Sequence, residues 1–150
     1  QEMQLMGDPR PQAVAYKQIL YDLIYPLGEK YERELHTLCH TDYMPADEPM
    51  TKMFQTGFRS LQIQKYTSED KGYPAVHIES GPNLTQIYLA VIVFLNDVEK
   101  GGQTVFSMGG TAIQPETGKV AIWPPCLPFY HCGRKSESDK YILTSWFEFL

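Results

Sequence analysis

The chain has 150 residues, 43% hydrophobic and 21% charged, with a net charge of −5 and a pI near 5.3. That is enough for one soluble domain burying roughly 70% of its unfolded surface, without staples. The acidity argues against broad binding to a phosphate backbone, although Arg134, Lys135 and Lys140 form a local basic group.

No apolar run reaches the ~18 residues of a membrane span. The longest, "IYLAVIVFL" at 87–95, is strand length. The first residues show no basic segment followed by an apolar one, so no targeting signal is expected. The three cysteines, Cys39, Cys126 and Cys132, are an odd number without CxxC spacing. This suits a reducing, cytoplasmic compartment better than a disulfide framework. Cys39 beside His40, and His131 beside Cys132, lack the spacing of a zinc finger.

Residues 11–39 read as helix, with Ile19, Leu20, Leu23, Ile24, Leu27, Tyr31 and Leu35 as an apolar stripe. Pro26 and Gly28 are expected to kink it or split it in two. Residues 40–57, rich in Pro, Asp, Met and Thr, read as a long loop of the kind that lines or covers a site. From residue 58 the pattern changes to strands. "FRSLQIQKY" sets Leu61, Ile63 and Lys65 against Gln62, Gln64 and Tyr66. Leu61 and Ile63 of the first set suit packing under helices. The second suits the lining of a ligand mouth, with a solvent-facing edge strand as the plainer alternative. "TQIYLAVIVFLND" lacks alternation and reads as buried on both faces. "GGQTVFS", "GTAIQP", "GKVAIWPP" and "KYILTSWFEF" follow as short strands bounded by turn residues. The expected fold is mainly β with N-terminal helices, an antiparallel sandwich or barrel in one domain over 1–150. Residues 11–39 are its helical support and 58–150 its core.

"YPAVHIESGP" places His77 and Glu79 two positions apart. In a strand such residues point to the same side, so one element can offer an imidazole and a carboxylate to one ion. Of the other three histidines, His36 and His40 lie in or just after the helical region, which leaves His131 in "PFYHCG". Two His and one carboxylate on one face leave three coordination positions free, the pattern of non-haem Fe(II) oxygenases. An isolated H-x-E is weak, because most such pairs in strands are surface residues.

The segments "QKYTSED", "HIE", "FLND", "GGQTVF", "PETGKVAIWP", "YHCG" and "KYILTSW" occur in this order. From about Phe58 to Phe149 the chain resembles the catalytic domain of the Fe(II)/2-oxoglutarate-dependent dioxygenases, in the prolyl 4-hydroxylase-like branch. The resemblance implies a double-stranded β-helix, a jelly roll of two sheets with the metal in its mouth. His77, Glu79 and His131 match the iron ligands. Lys140 matches the base that pairs with the distal carboxylate of 2-oxoglutarate. Tyr66 matches a tyrosine that reaches the cosubstrate, and Thr144 lies beside it. Trp146 matches a tryptophan near the site and, with Gln62 and Gln64, is expected to line the substrate. Two positions depart from the pattern. The carboxylate is Glu79 where the family more often has Asp, and Phe94 stands where some relatives have a tyrosine.

The implied cofactors are Fe(II), 2-oxoglutarate and O2, with ascorbate as an accessory reductant. The implied activity is hydroxylation coupled to conversion of 2-oxoglutarate to succinate and CO2, most closely of a peptidyl proline. A free amino acid or other small molecule is the alternative substrate, and a metal-binding jelly roll without turnover the alternative class. Neither a nucleic acid nor a membrane is expected as partner, and the sequence carries no sign of oligomeric state.

Overall fold

The structure, a computed structural model, describes residues 2–4, 9–39, 56–81 and 86–150. The expected loop over 40–57 lies outside them up to residue 55. The elements are β1 (Glu2–Gln4), α1 (Pro11–Cys39), β2 (Thr56–Tyr66), β3 (Tyr73–His77), β4 (Ile87–Phe94), β5 (Thr104–Phe106), β6 (Ala112–Ile113), β7 (Val120–Trp123), β8 (His131–Gly133) and β9 (Lys140–Phe149). A five-stranded sheet has the order β1-β2-β9-β4-β7 and a four-stranded sheet the order β3-β8-β5-β6. All pairings are antiparallel. Two such sheets face to face form the jelly-roll arrangement of a double-stranded β-helix.

Alternation along β9 explains both layers. Leu143 and Phe147 join Ile24, Phe58, Leu61, Leu89 and Val91 in a core between the larger sheet and α1. Lys140, Ile142, Thr144 and Trp146, at the intervening positions, face the space between the sheets. There Ala90, Phe106, Ala121 and Trp123 make a second core. β2 follows the same rule. Leu61 is buried and Ile63 packs against the helix-side core, while Gln64 and Tyr66 open into the inter-sheet cavity. β2 also lies between β1 and β9, so it is not the edge strand of the plainer sequence reading.

Of the two expected effects of Pro26 and Gly28, the split does not occur: the helix is one element of 29 residues with Pro26 inside it. Pro26 lies on the exposed side, while Ile24 and Gly28 on the buried side press against the sheet and hold the turn together. The expected apolar stripe is largely outward among its described side chains: Ile19, Leu23, Leu27 and Leu35 are exposed, and of those described only Ile24 is fully buried. The buried line is Ile24, Gly28 and Glu32, at a spacing of four. Glycine hides this line from a hydrophobicity pattern, because its role is close approach. A Cβ at Gly28 would lie 2.5 Å from Cζ of Phe147, whose ring is fully buried. Gly28→Ala is therefore expected to destabilise the fold by about 1–3 kcal/mol despite alanine's better helix propensity. Urea unfolding would show this as a lower midpoint at unchanged slope.

Candidate metal centre and cosubstrate pocket

β3 and β8 are adjacent in the smaller sheet, and their register places His77 directly opposite His131. His131 is almost fully buried, wedged between the rings of Trp123 (centroids 4.9 Å) and Phe106 (5.4 Å). The ring of Tyr73 stands 4.8 Å from that of His77 at a steep angle. Each imidazole also has a backbone carbonyl at its inner nitrogen. His77 Nδ1 donates to Ala75 O at 2.9 Å, and His131 Nδ1 to Phe129 O at 3.1 Å. Fixing Nδ1–H in this way directs Nε2 to the centre.

Glu79 does not sit in the strand with His77, as sequence spacing suggested. β3 ends at His77, and Glu79 lies in the following bend. The backbone N–H groups of Glu79 and Ser80 both donate to Pro125 O at 2.9 Å. The bend is thus tied to the β7–β8 connection instead of to a sheet ladder. Even so, Glu79 Oε1 reaches 3.1 Å from His77 Nε2 and 3.3 Å from His131 Nε2. The ligand-type atoms of His77, Glu79 and His131 all lie within 4.8 Å of one another. Burial opposes the charge on Glu79 and is the largest single effect. The hydrogen bonds and charges of His131 and His77 together outweigh it and lower its pKa to about 2. The hydrogen bond to Glu79 raises the pKa of His77. Both ring nitrogens of His77 face acceptors, which favours the imidazolium. A cation at this point would meet the carboxylate as that proton does, so the donor set fits a divalent metal.

From these three residues a cavity of about 280 Å³ runs between the sheets to Lys140. Lys140 is 3% exposed. Its Nζ donates to Gly102 O at 3.0 Å and stands 4.8 Å above the Tyr66 ring. Among the described residues no carboxylate pairs with it, and desolvation lowers its pKa to about 8. Asn96 fixes its backbone from both sides, donating to Asp139 O at 2.9 Å and accepting from Tyr141 N at 2.7 Å. The Gly101–Gly102 turn approaches equally closely. Both have φ near +75°, and a Cβ on Gly101 would lie 2.2 Å from Lys135 O. Thr144 Oγ1, in the same cavity, is buried without a hydrogen-bond partner among the described residues. Among the described residues, a buried ammonium without a carboxylate and a hydroxyl without a partner share one cavity, which fits an anionic ligand that supplies both partners.

Tyr66 lines this cavity, its hydroxyl donating to Gln64 Oε1 at 3.0 Å. Gln62 does not line it. It belongs to a neighbouring depression with Arg59, Ser60 and Glu148, which meets the centre only through Glu79 and Trp146. Arg134 and Lys135, the other basic residues near the distal histidine, are exposed. Thr104, Ile92 and Cys132 also line the cavity. Sequence reading missed them because Ile92 lies on a strand without alternation, and the short strands that carry Thr104 and Cys132 are too brief to show which face meets the cavity. A larger, mostly apolar groove of about 670 Å³ lies between α1 and β7, lined by Leu27, Tyr31, Met108 and Ile122 among others. Among the described residues it holds no cluster of metal-ligating side chains.

Residues 61–148 match the profile of the 2OG-Fe(II) oxygenase superfamily. The chain belongs to that superfamily. It is therefore of an oxidoreductase family whose members use Fe(II) and 2-oxoglutarate, and these two agree with the donor set and the cavity. A comparison with the curated proteins gives no significant match. Among solved structures, it is similar to a viral collagen prolyl hydroxylase from Paramecium Bursaria Chlorella virus-1, solved as its 2OG complex. That match has 18% identity, covers 100% of this chain and 78% of that one, and has a TM-score of 0.59. A Trichoplax adhaerens prolyl hydroxylase, in complex with a peptide fragment of the hypoxia inducible factor oxygen degradation domain, matches at 17% identity and TM-score 0.64, over 98% of this chain and 61% of that one. A prolyl 4-hydroxylase from Phytophthora capsici matches at 17% identity and TM-score 0.55, over 65% of this chain and only 36% of that longer one. These likenesses establish the double-stranded β-helix fold. No helix among the described residues is long and apolar enough to cross a membrane.

Proposed function

We propose that this oxygenase is a hydroxylase acting on a peptidyl proline, with His77, Glu79 and His131 as its iron ligands and Lys140 as the anchor of 2-oxoglutarate. The observation that carries the reading is one cavity with a two-histidine, one-carboxylate cluster at one end and, at the other, a buried ammonium that no carboxylate among the described residues pairs with. Bound Fe(II) supplies the activation of O2 against the cosubstrate. The chain supplies the rest. Lys140 pairs with the far carboxylate, and Thr144 Oγ1 donates to the same group. The Tyr66 ring shields the ammonium from water, and the Phe106 and Trp123 rings hold His131 rigid. Trp146 and Gln62 line a depression of about 490 Å³ beside Glu79, which supports a contact of both with the substrate. The likeness to prolyl hydroxylases, one of them with a bound peptide, supports a proline in a peptide over a free amino acid. Free Cys126 and Cys132 support a reducing, cytoplasmic setting. The test is incubation with proline-containing peptides, Fe(II), 2-oxoglutarate and ascorbate. A one-oxygen mass increase on proline, matched by succinate, is expected. Turnover of free proline but of no peptide would move the substrate to the small-molecule class.

The anchor also gives a pH dependence. Without ligand, the folded-state pKa of Lys140 lies near 8, below the ordinary 10.5. Between those values the unfolded chain binds more protons at this site, so the unfavourable contribution of Lys140 to stability is relieved as pH rises. Binding of 2-oxoglutarate needs the protonated form. Its dissociation constant is therefore expected to be flat below about pH 8 and to rise by up to tenfold per pH unit above it, in anaerobic titration of the metal-loaded protein. Lys140→Arg should remove that rise, because arginine stays charged.

A further inference from the structure

The two oxygens of Glu79 have separate partners. Oε1 faces both imidazoles, whereas Oε2 accepts a hydrogen bond from Trp146 Nε1 at 2.9 Å. The indole is a donor only, and its place is fixed by the fold. Trp146 pairs with Ala90 across β9 and β4 and packs on the buried Ala90, Phe106, Ala121 and Trp123. Glu79, by contrast, stands on a bend and has one more torsion than an aspartate. A carboxylate on a longer arm loses more freedom when it is aimed at one point.

We infer that Trp146 is a positioning residue: its indole N–H holds Glu79 by Oε2 and so aims Oε1 at the metal, offsetting the longer side chain. This rests on reading the three-residue cluster as the metal centre. It assigns Trp146 a role besides contact with substrate. Removing an outer hydrogen bond of this kind typically lowers metal affinity about 10- to 100-fold. The shorter Glu79→Asp side chain would withdraw from the indole by roughly one bond length, ~1.5 Å, and so would not depend on it.

The test is calorimetric titration of the whole chain with Co(II) alone, without cosubstrate. The proteins compared are wild type, Trp146→Phe, Glu79→Asp, the double variant and His131→Ala. Phenylalanine keeps most of the ring's packing and removes the N–H. Trp146→Phe should weaken Co(II) binding at least about tenfold in the Glu79 background, and less than about threefold in the Glu79→Asp background. Unchanged affinity in Trp146→Phe, or an equal loss in both backgrounds, overturns the role. Unchanged binding in His131→Ala would show instead that the metal centre itself is misplaced. A second measurement needs no change at Trp146. The chain has two tryptophans, and the indole N–H of Trp123 is buried without a partner. In the metal-free protein, Glu79→Ala should shift one indole N–H resonance upfield, the one lost in Trp146→Phe. If neither resonance moves, the hydrogen bond is absent in solution and the inference fails.

Discussion

His131→Ala is expected to lose measurable Fe(II) binding, and His77→Ala the same. Each removal leaves one imidazole and one carboxylate, and two ligands rarely hold Fe(II) against water. The buried position makes His131 the more severe of the two. Its ring fills the space between Trp123 and Phe106, so alanine opens a cavity as well as removing a ligand. His77 is half-buried at the end of β3, and its loss should spare the fold while ending metal binding. Glu79→Gln should lose most of the affinity, because a neutral amide oxygen replaces an anionic ligand. Glu79→Asp should keep part of it, since the charge remains. His36→Ala and His40→Ala serve as controls and should bind as wild type. Anaerobic calorimetry reads all of these. Equal affinity in His77→Ala and His131→Ala to that of wild type would remove the triad.

Lys140→Ala is expected to weaken 2-oxoglutarate binding by two to three orders of magnitude. The fold already bears the desolvation of this ammonium, which is why its pKa falls to about 8. An arriving carboxylate recovers that cost. Leaving one partner of such a pair unmatched in a buried site costs about 3–5 kcal/mol, and each 1.4 kcal/mol is about tenfold in affinity. Metal affinity without cosubstrate should be unchanged, because Lys140 reaches Gly102 O and not the metal cluster. The charge-transfer band of the anaerobic Fe(II) complex follows the titration. Arg134 and Lys135 cannot substitute for it, since both point to solvent.

His77, Glu79, His131 and Lys140, the residues proposed as iron ligands and anchor, could be singled out in the sequence through local motifs, and all four line one cavity. A histidine two before a carboxylate, a distal histidine, and a lysine nine residues later each sit in a short stretch. Alternation along β2 also separated Leu61 and Ile63 on the helix side from Gln64 and Tyr66 on the cavity side, but it put Gln62 in the cavity set, where it does not belong. The rest depends on how strands meet. The register His77 opposite His131 is a pairing between β3 and β8, which have no mutual signal in the sequence. The bend at Glu79 comes from hydrogen bonds to Pro125, 46 residues away (125 − 79), so strand spacing gave the right side for the wrong reason. The helix failed for a related cause. Its buried line runs from Ile24 through Gly28 and Glu32, and no apolar periodicity selects the last two, while Ile19, Leu23, Leu27 and Leu35, which do look like a core stripe, face outward. The bond from Trp146 to Glu79 joins positions far apart in the chain and was equally hidden.

The most direct test of the account is succinate release. Protein reconstituted anaerobically with Fe(II) and 2-oxoglutarate, then exposed to O2, is expected to convert the cosubstrate to succinate, slowly without primary substrate. His131→Ala and Lys140→Ala should form none above the metal-only background at the same concentrations. Succinate formed by both variants at the wild-type rate would contradict the placement of iron and cosubstrate in this cavity. Its absence from the wild-type protein, with metal and 2-oxoglutarate shown to be bound, would make the chain a binding module on an oxygenase fold.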